Sequence, residues 1–173
     1  RANKGLTDSL HVNELVFWGT KLLAATKNAG VFISTDTGTT WVAFNNGLST
    51  LNIQKIVTSP TYAYLYNVNG EIFFSTGTSW TASQGSLPSG VQPTSVVFYG
   101  NSVALGTYGN GVYFSHTGST QWTNSNTGLT NLNVTSLAVR GKALFSGTDG
   151  AGVFVSDTTN PFDWKKTVLT SIA

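Results

Sequence analysis

Four tryptophans, Trp41, Trp80, Trp122 and Trp164, recur at intervals of 39, 42 and 42 residues, and four serines, Ser34, Ser75, Ser115 and Ser156, precede them at intervals of 41, 40 and 41. A three-residue apolar run stands directly before each serine: Val31-Phe32-Ile33, Ile72-Phe73-Phe74, Val112-Tyr113-Phe114 and Val153-Phe154-Val155. A register held through four copies means that one supersecondary unit is built four times. Such a unit buries its apolar face only against its neighbours.

Each copy reads as four short strands, A to D. In the first copy these are residues 12–17, 21–26, 31–35 and 41–44. The runs are rich in Val, Ile, Phe and Tyr, are bounded by Gly and Asn, and show no helical period. Asn69-Gly70 and Asn110-Gly111 mark equivalent B–C turns, at residue types that accept a positive φ. A second phrase, Asn46-Gly47-Leu48, Gly85-Ser86-Leu87 and Thr127-Gly128-Leu129, joins strand D to the next strand A, and Lys4-Gly5-Leu6 opens the chain in the same way. Strand A carries Leu15, Ile56, Val96 and Leu137 in matching slots, and Pro93 stands where Val12, Ile53 and Val134 begin the same strand, a place where a missing N–H is tolerated. A unit of about 40 residues with four antiparallel strands predicts an all-β fold, a β-propeller of four four-stranded blades. The expected blades are residues 4–45, 46–84, 85–126 and 127–173 of a single domain over 1–173.

Composition narrows the class of function. Charged residues are 9% of the chain, against 40% hydrophobic and 12% aromatic. Solubility therefore rests on hydroxyls and amides, as in an extracellular β-protein, and the apolar content exceeds that of a disordered chain. Nine Lys and Arg against seven Asp and Glu give a net charge of +2, scattered apart from the pair Lys165-Lys166, whereas nucleic-acid binding calls for a clustered basic face. With no cysteine there is no disulfide framework and no thiolate metal site, and no cofactor is expected. No apolar run approaches the roughly 20 residues of a membrane-spanning helix. The opening Arg1-Ala2-Asn3-Lys4-Gly5 has no signal-peptide core, so an export signal is expected to have been removed or to lie outside these residues.

Ser34-Thr35-Asp36-Thr37-Gly38-Thr39-Thr40-Trp41 resembles the Asp-box, S-x-D-x-G-x-T-W, on the C–D turns of propellers in sialidases, sortilin-type receptors, xyloglucan-acting hydrolases and photosystem assembly factors. The resemblance implies that Ser34, Asp36, Gly38 and Trp41 pin a hairpin, the carboxylate accepting from turn N–H groups and the indole packing into the neighbouring layer. The other copies depart from it: Ser75 to Trp80 is two residues short and has no Asp, Ser115 to Trp122 has Thr117 in the Asp slot, and Ser156 to Trp164 is one residue longer. More loosely, the copies resemble the repeat arrays of secreted bacterial surface proteins. The resemblance covers nearly the whole chain, but it specifies fold more than function.

Candidate chemistry is sparse. Sialidases hold the substrate carboxylate with three arginines, and this chain has only Arg1 and Arg140. Glycoside hydrolysis needs two acids roughly 5–10 Å apart. The acids are Asp8, Glu14, Asp36, Glu71, Asp149, Asp157 and Asp163. Asp36, Asp157 and Asp163 belong to C–D turns, which leaves Asp149 in a B–C loop, with a plain Asp-Gly turn as the alternative reading. Neither His11 nor His116 is set in a Ser-His-Asp order. Gly106-Thr107-Tyr108-Gly109-Asn110-Gly111 runs into a strand rather than a helix, so it reads as a hairpin and not a phosphate loop.

Binding remains. In the B–C loops one slot holds Lys27, Val68, Tyr108 and Asp149 while the flanking strands repeat. The candidate contact residues are Lys27, Tyr66, Tyr108 and Asp149, with Tyr66, Tyr108 and Trp18 as stacking surfaces. The alternative for Trp18 is that it covers an A–B turn. The expected role is a non-catalytic secreted or cell-surface module of a bacterial protein that recognises a protein or glycan, for adhesion or scaffolding. Two alternatives stay open, a fragment of an Asp-box glycoside hydrolase and a self-assembling structural protein. No terminal strand is held back to complete a distant blade, so the blades are expected to continue in a longer chain, to be completed by another copy, or to close as a ring of four.

Overall fold

A computed structural model describes residues 3–7 and 10–167. It contains four four-stranded antiparallel sheets and, among the described residues, no helix. Blade 1 is β1 (Val12–Trp18), β2 (Lys21–Thr26), β3 (Val31–Ser34) and β4 (Val42–Ala43). Blade 2 is β5 (Ile53–Thr58), β6 (Ala63–Asn67), β7 (Ile72–Ser75) and β8 (Thr81–Ala82). Blade 3 is β9 (Gln92–Tyr99), β10 (Ser102–Tyr108), β11 (Gly111–His116) and β12 (Thr123–Asn124), and blade 4 is β13 (Val134–Arg140), β14 (Ala143–Thr148), β15 (Gly152–Ser156) and β16 (Trp164–Lys166). Within each sheet the strands follow sequence order, so A–B and C–D turns lie at one end and B–C turns at the other.

The sheets group into two compact units, residues 1–85 with 118–120, and residues 86–117 with 121–173. Each unit has a core made where its first blade packs on its second. In the first unit Leu23, Ala25, Val31 and Phe44 meet Ile53, Ile56, Leu65, Phe73 and Trp80. In the second, Ala104, Val112 and Phe114 meet Val134, Leu137, Leu144, Phe154 and Trp164. Burial of the Val, Leu, Ile and Phe side chains among these contributes about 1.5–3 kcal/mol each, and it explains why the apolar slots recur.

Polar groups stitch the blades in the same places twice. Every strand A has a bulge, at Asn13, Gln54, Thr94 and Thr135, where the ladder skips one residue. A bulge re-aims its side chain. Asn13 Nδ2 donates to the Ile53 carbonyl at 2.6 Å, and Thr94 Oγ1 donates to the Val134 carbonyl at 2.7 Å. The following residue accepts from the next blade: the Ile56 N–H donates to Glu14 Oε2 at 3.1 Å, and the Leu137 N–H donates to Ser95 Oγ at 3.1 Å. The indole of Trp80 donates to the Phe44 carbonyl at 2.8 Å, and that of Trp164 to the Ser125 carbonyl at 2.7 Å. Trp41 instead donates to the Gly38 carbonyl of its own turn at 3.0 Å.

The recurring connections lie against the tryptophan backbone of the blade they enter. Trp41, Trp80 and Trp164 donate their amides at 2.8 Å to the carbonyls of Lys4, Asn46 and Thr127. A Cβ on Gly5, Gly47 or Gly128 would fall 2.0 to 2.1 Å from the carbonyl oxygen of the same tryptophan, so this approach requires glycine. Ser86 occupies the slot in blade 3 without a positive φ; its Oγ accepts from the Trp122 amide at 2.5 Å and donates to the Trp122 carbonyl at 2.7 Å. At the B–C turns the positive φ falls on Gly70 and Gly111, while Asn69 and Asn110 keep negative values.

Candidate functional site

The B–C end of each unit is built from one repeated turn. Thr26, Thr107 and Thr148 each donate Oγ1 to the carbonyl four residues on, at 2.7 to 2.8 Å. Asn67 fills the same slot and accepts the amides of Asn69 and Glu71 at 3.0 Å. In blades 1 and 3 an asparagine after strand D clamps the turn. Asn45 Oδ1 accepts the Val31 amide at 2.7 Å and its Nδ2 donates to the Ala29 carbonyl at 3.1 Å, and Asn126 bonds Val112 and Asn110 in the same way at 2.8 and 2.9 Å.

The residue after this keystone is the variable slot. The amides of Lys27, Val68 and Asp149 donate to the carbonyls of His11, Asn52 and Asn133, at 2.9, 3.0 and 2.9 Å, and Tyr108 is held in the ladder opposite Gln92. The backbone is thus fixed alike and the side chains of Lys27, Val68, Tyr108 and Asp149 are all exposed. Within each unit one short bridge ties the two loops together. In the first unit the Gly30 amide donates to the Leu51 carbonyl while Val68 bonds Asn52; in the second the Gly111 amide donates to the Leu132 carbonyl while Asp149 bonds Asn133. Leu51 and Leu132 are themselves exposed. The structure therefore assembles Lys27, Leu51 and Val68 at the B–C end of one unit, and Tyr108, Leu132 and Asp149 at that of the other.

Tyr66 does not join them. It is 8% exposed, because β6 is buried along its whole length. Burial, then the neighbouring Glu14 charge, push its phenol up to about 12, and so little of the ring is exposed that it offers no surface for a ligand. Trp18 is also buried and packs into the first core, with Lys21 Nζ 5.9 Å from the ring centroid; it covers the A–B turn. Its edge, with Lys21, Pro60 and Thr76, borders a polar cleft of about 420 Å³ at the opposite end of that unit. Leu51 and Leu132 were not singled out by sequence reasoning, although both stand in a repeated Leu-Asn pair directly ahead of strand A.

Glu14, Asp36, Glu71, Asp157 and Asp163 already accept hydrogen bonds from neighbouring groups. Glu14 accepts from Lys55 Nζ at 2.5 Å. Glu71 accepts from the Ser49 hydroxyl and, at 2.7 Å, from Asn67 Nδ2, which hold its carboxyl below the usual value. A general acid in glycoside hydrolysis needs the opposite shift. Asp149 is the acid at the B–C end of its unit, and Asp157 and Asp163 lie in a C–D turn at the far end. Asp8 and Arg1 fall outside the described residues. No group of three metal-ligating side chains occurs among the described residues, and no helix there is long and apolar enough to cross a membrane. His116 is exposed, with Nδ1 3.3 Å from the Asn101 carbonyl.

At the C–D end, blade 1 carries a complete turn network. Asp36 Oδ1 accepts from Ser34 Oγ and from the Thr40 amide, both at 2.8 Å, and Oδ2 accepts from Thr40 Oγ1 at 2.6 Å. Ser34 Oγ also accepts the Gly38 amide at 2.9 Å. Led by the Thr40 hydroxyl and amide, these donors lower the Asp36 carboxyl to about 2. In the other copies the serine acts differently. Ser75 Oγ accepts the Gly77 amide at 3.1 Å, Ser115 Oγ donates to the His116 carbonyl at 3.2 Å, and Ser156 Oγ accepts the Leu144 amide at 3.1 Å. In blade 4, Asp157 takes over the turn, accepting the Thr159 amide and hydroxyl at 2.8 and 2.6 Å. All four serines and all four tryptophans of the repeat are buried.

Solved structures place this arrangement among known folds. The chain is similar to YCF48 bound to D1 peptide, at 15% identity and a TM-score of 0.70 over 93% of this chain and 54% of that one. The fold is that of β-propeller blades. It is also similar to the extracellular domain of the one component system BT4673 from B. thetaiotaomicron, at 19% identity and TM-score 0.72, covering 99% of this chain and 23% of that one. An ancestral GH74 enzyme matches at 18% identity and TM-score 0.71, covering 99% of this chain and 25% of that one. The chain thus spans about half the length of the YCF48 chain and about a quarter of the other two. No family model matches the sequence, and no curated protein does.

Proposed function

We propose that this chain is a non-catalytic Asp-box propeller module, one domain over residues 1–173, of a secreted or cell-surface bacterial protein, and that it recognises a protein or glycan through the B–C end of its blades. The observation that carries this reading is the variable slot. Lys27, Val68 and Asp149 share one backbone hydrogen bond, yet they and Tyr108 present an ammonium, an alkyl group, a carboxylate and a phenol to solvent. A scaffold that fixes the backbone and varies the exposed side chain suits contact with a ligand. Tyr108 and Leu132 supply apolar area, and the Asp149 carboxylate supplies a polar contact. The Ser34–Asp36–Thr40 network supports the Asp-box assignment. Similarity to a peptide-bound protein and to a bacterial extracellular domain supports a protein ligand outside the cell.

The test is a glycan array and a peptide library probed with the wild-type chain, then with Tyr108→Ala, Asp149→Asn and Lys27→Ala. A contact at an interface centre is expected to weaken binding by about 30-fold when truncated, equivalent to roughly 2 kcal/mol. Retained binding in all three variants would discard the B–C loops as contact residues. The competing reading, a glycoside hydrolase fragment, is favoured instead if a chromogenic glycoside is turned over and Asp149→Asn abolishes it.

A further inference from the structure

The same slots are closed in one blade and open in another. In blade 2, Ile53 and Ile56 lie fully buried under blade 1. In blade 4, Val134 and Leu137 are 0% and 8% exposed under blade 3. The equivalent residues of blade 1, Val12 and Leu15, are 38% and 57% exposed, and Phe17 on the same face is exposed as well. The opposite face of blade 4 shows the complementary difference. Val31 and Val112, which blades 1 and 3 turn toward their successors, are 0% exposed, while Val153 in that slot is 44% exposed.

Blade 4 carries the same polar stitching groups on an exposed face. Thr94 and Ser95 bind the Val134 carbonyl and the Leu137 amide. Blade 4 repeats these two residues at its own bulge as Thr135 and Ser136, both exposed, and Thr135 Oγ1 makes a 3.2 Å bond to the Gly147 carbonyl of its own sheet. On blade 1 the groups equivalent to those they would reach are the Val12 carbonyl and the Leu15 amide.

We propose that the chain associates head to tail with a second copy, the Val12–Leu15 face of blade 1 in one copy receiving the Thr135–Ser136–Val153 face of blade 4 in the other. The interface reproduces the one between blades 3 and 4: threonine to carbonyl, amide to serine, and an apolar layer between the sheets. A two-fold pairing of Leu15 faces would bury apolar surface, but it would leave Thr135, Ser136 and Val153 unmatched. The contact is therefore heterologous, with different patches meeting. It rests on the strand faces of blades 1 and 4 and not on the side chains of Lys27, Tyr108 and Asp149, so it does not depend on their ligand-binding role.

Light scattering or sedimentation of the 173-residue chain across a wide concentration range tests this. The wild type is expected at a mass of two or more chains. Leu15→Lys and Val153→Lys each place a charge in the interface at an exposed position, and both are expected to be monomers with unchanged circular dichroism. Mixing the two variants leaves one intact face on each and is expected to restore a pair of one chain of each kind. A monomeric wild type, continued association of Val153→Lys alone, association that survives Leu15→Lys, or a mixture that stays monomeric would each overturn the proposal.

Discussion

Replacing Gly47 by alanine tests whether the strand-connecting segments lock each blade in place. The added Cβ would lie 2.0 Å from the Trp80 carbonyl oxygen and 3.0 Å from its carbon, on a residue at φ +94°. Real Cβ atoms essentially never come within 3.0 Å of such a neighbour, so the connection must retreat by an ångström or more. The 2.8 Å bond from the Trp80 amide to Asn46 cannot survive that shift. Left-handed φ costs a non-glycine residue about 1–2 kcal/mol, and leaving a backbone pair unsatisfied costs about 1–3 kcal/mol. The expected loss is about 2–5 kcal/mol, or on the order of 10 °C in Tm for a chain of this size. Gly150→Ala is the control, because Gly150 has φ +88° with nothing within 4 Å of its added Cβ, and it should lose only the φ contribution, about 1–2 kcal/mol. Thermal and urea unfolding followed by circular dichroism give both values. Equal losses in the two variants would refute the packing argument.

Three further outcomes are expected. Ser146 Oγ is buried with no hydrogen-bond partner, in a slot that holds Ala24, Leu65 and Leu105 elsewhere, so Ser146→Ala should stabilise the chain by about 1 kcal/mol, and a drop in the urea midpoint would contradict this. The folded Asp36 carboxyl sits at about 2 against an ordinary 3.8; its contribution to stability is full above 3.8 and is lost as pH falls through about 2. Asp36→Asn should therefore lower Tm at neutral pH and flatten its decline over that acid window, and parallel pH curves for the two proteins would count against the network. Asn126→Ala removes both clamps on the blade 3 turn, at a cost of about 1–3 kcal/mol; hydrogen exchange at the Val112 amide should accelerate, while Asn126→Asp, which keeps the acceptor, should fall between.

The strands were legible because their apolar slots recur, and β2 spans residues 21–26 as expected from sequence. Strand D is shorter than the sequence suggests: its ladder in blade 1 is Val42 and Ala43, with the Phe44 amide still donating to the Val31 carbonyl. The bulges could not be read. Asn13, Gln54, Thr94 and Thr135 are four polar residues of three types, and what unites them is a skipped rung in the ladder, visible only once both strands are paired. Tyr66 was misplaced for a related reason. Alternation tells inside from outside when one face of a strand is wet, and β6 has no wet face, so its tyrosines give no sign in sequence of which way they look.

Fold and site are written into this sequence in opposite ways. Each buried slot is stated several times, so Leu23, Ala25 and Val31 against Ile53 and Ile56 are read almost as well from their counterparts Ala104, Val112, Val134 and Leu137. The candidate binding slot is stated once per blade, and differently each time. Its backbone bond is as regular as any core contact, so nothing about holding the fold requires a lysine at 27, a tyrosine at 108 or an aspartate at 149. Where geometry repeats and chemistry does not, the side chain is free of the fold. Exchanging Lys27 and Asp149 should accordingly leave the unfolding free energy within about 0.5 kcal/mol of wild type while altering whatever the B–C loops bind. A large loss of stability would show that the slot serves the scaffold instead.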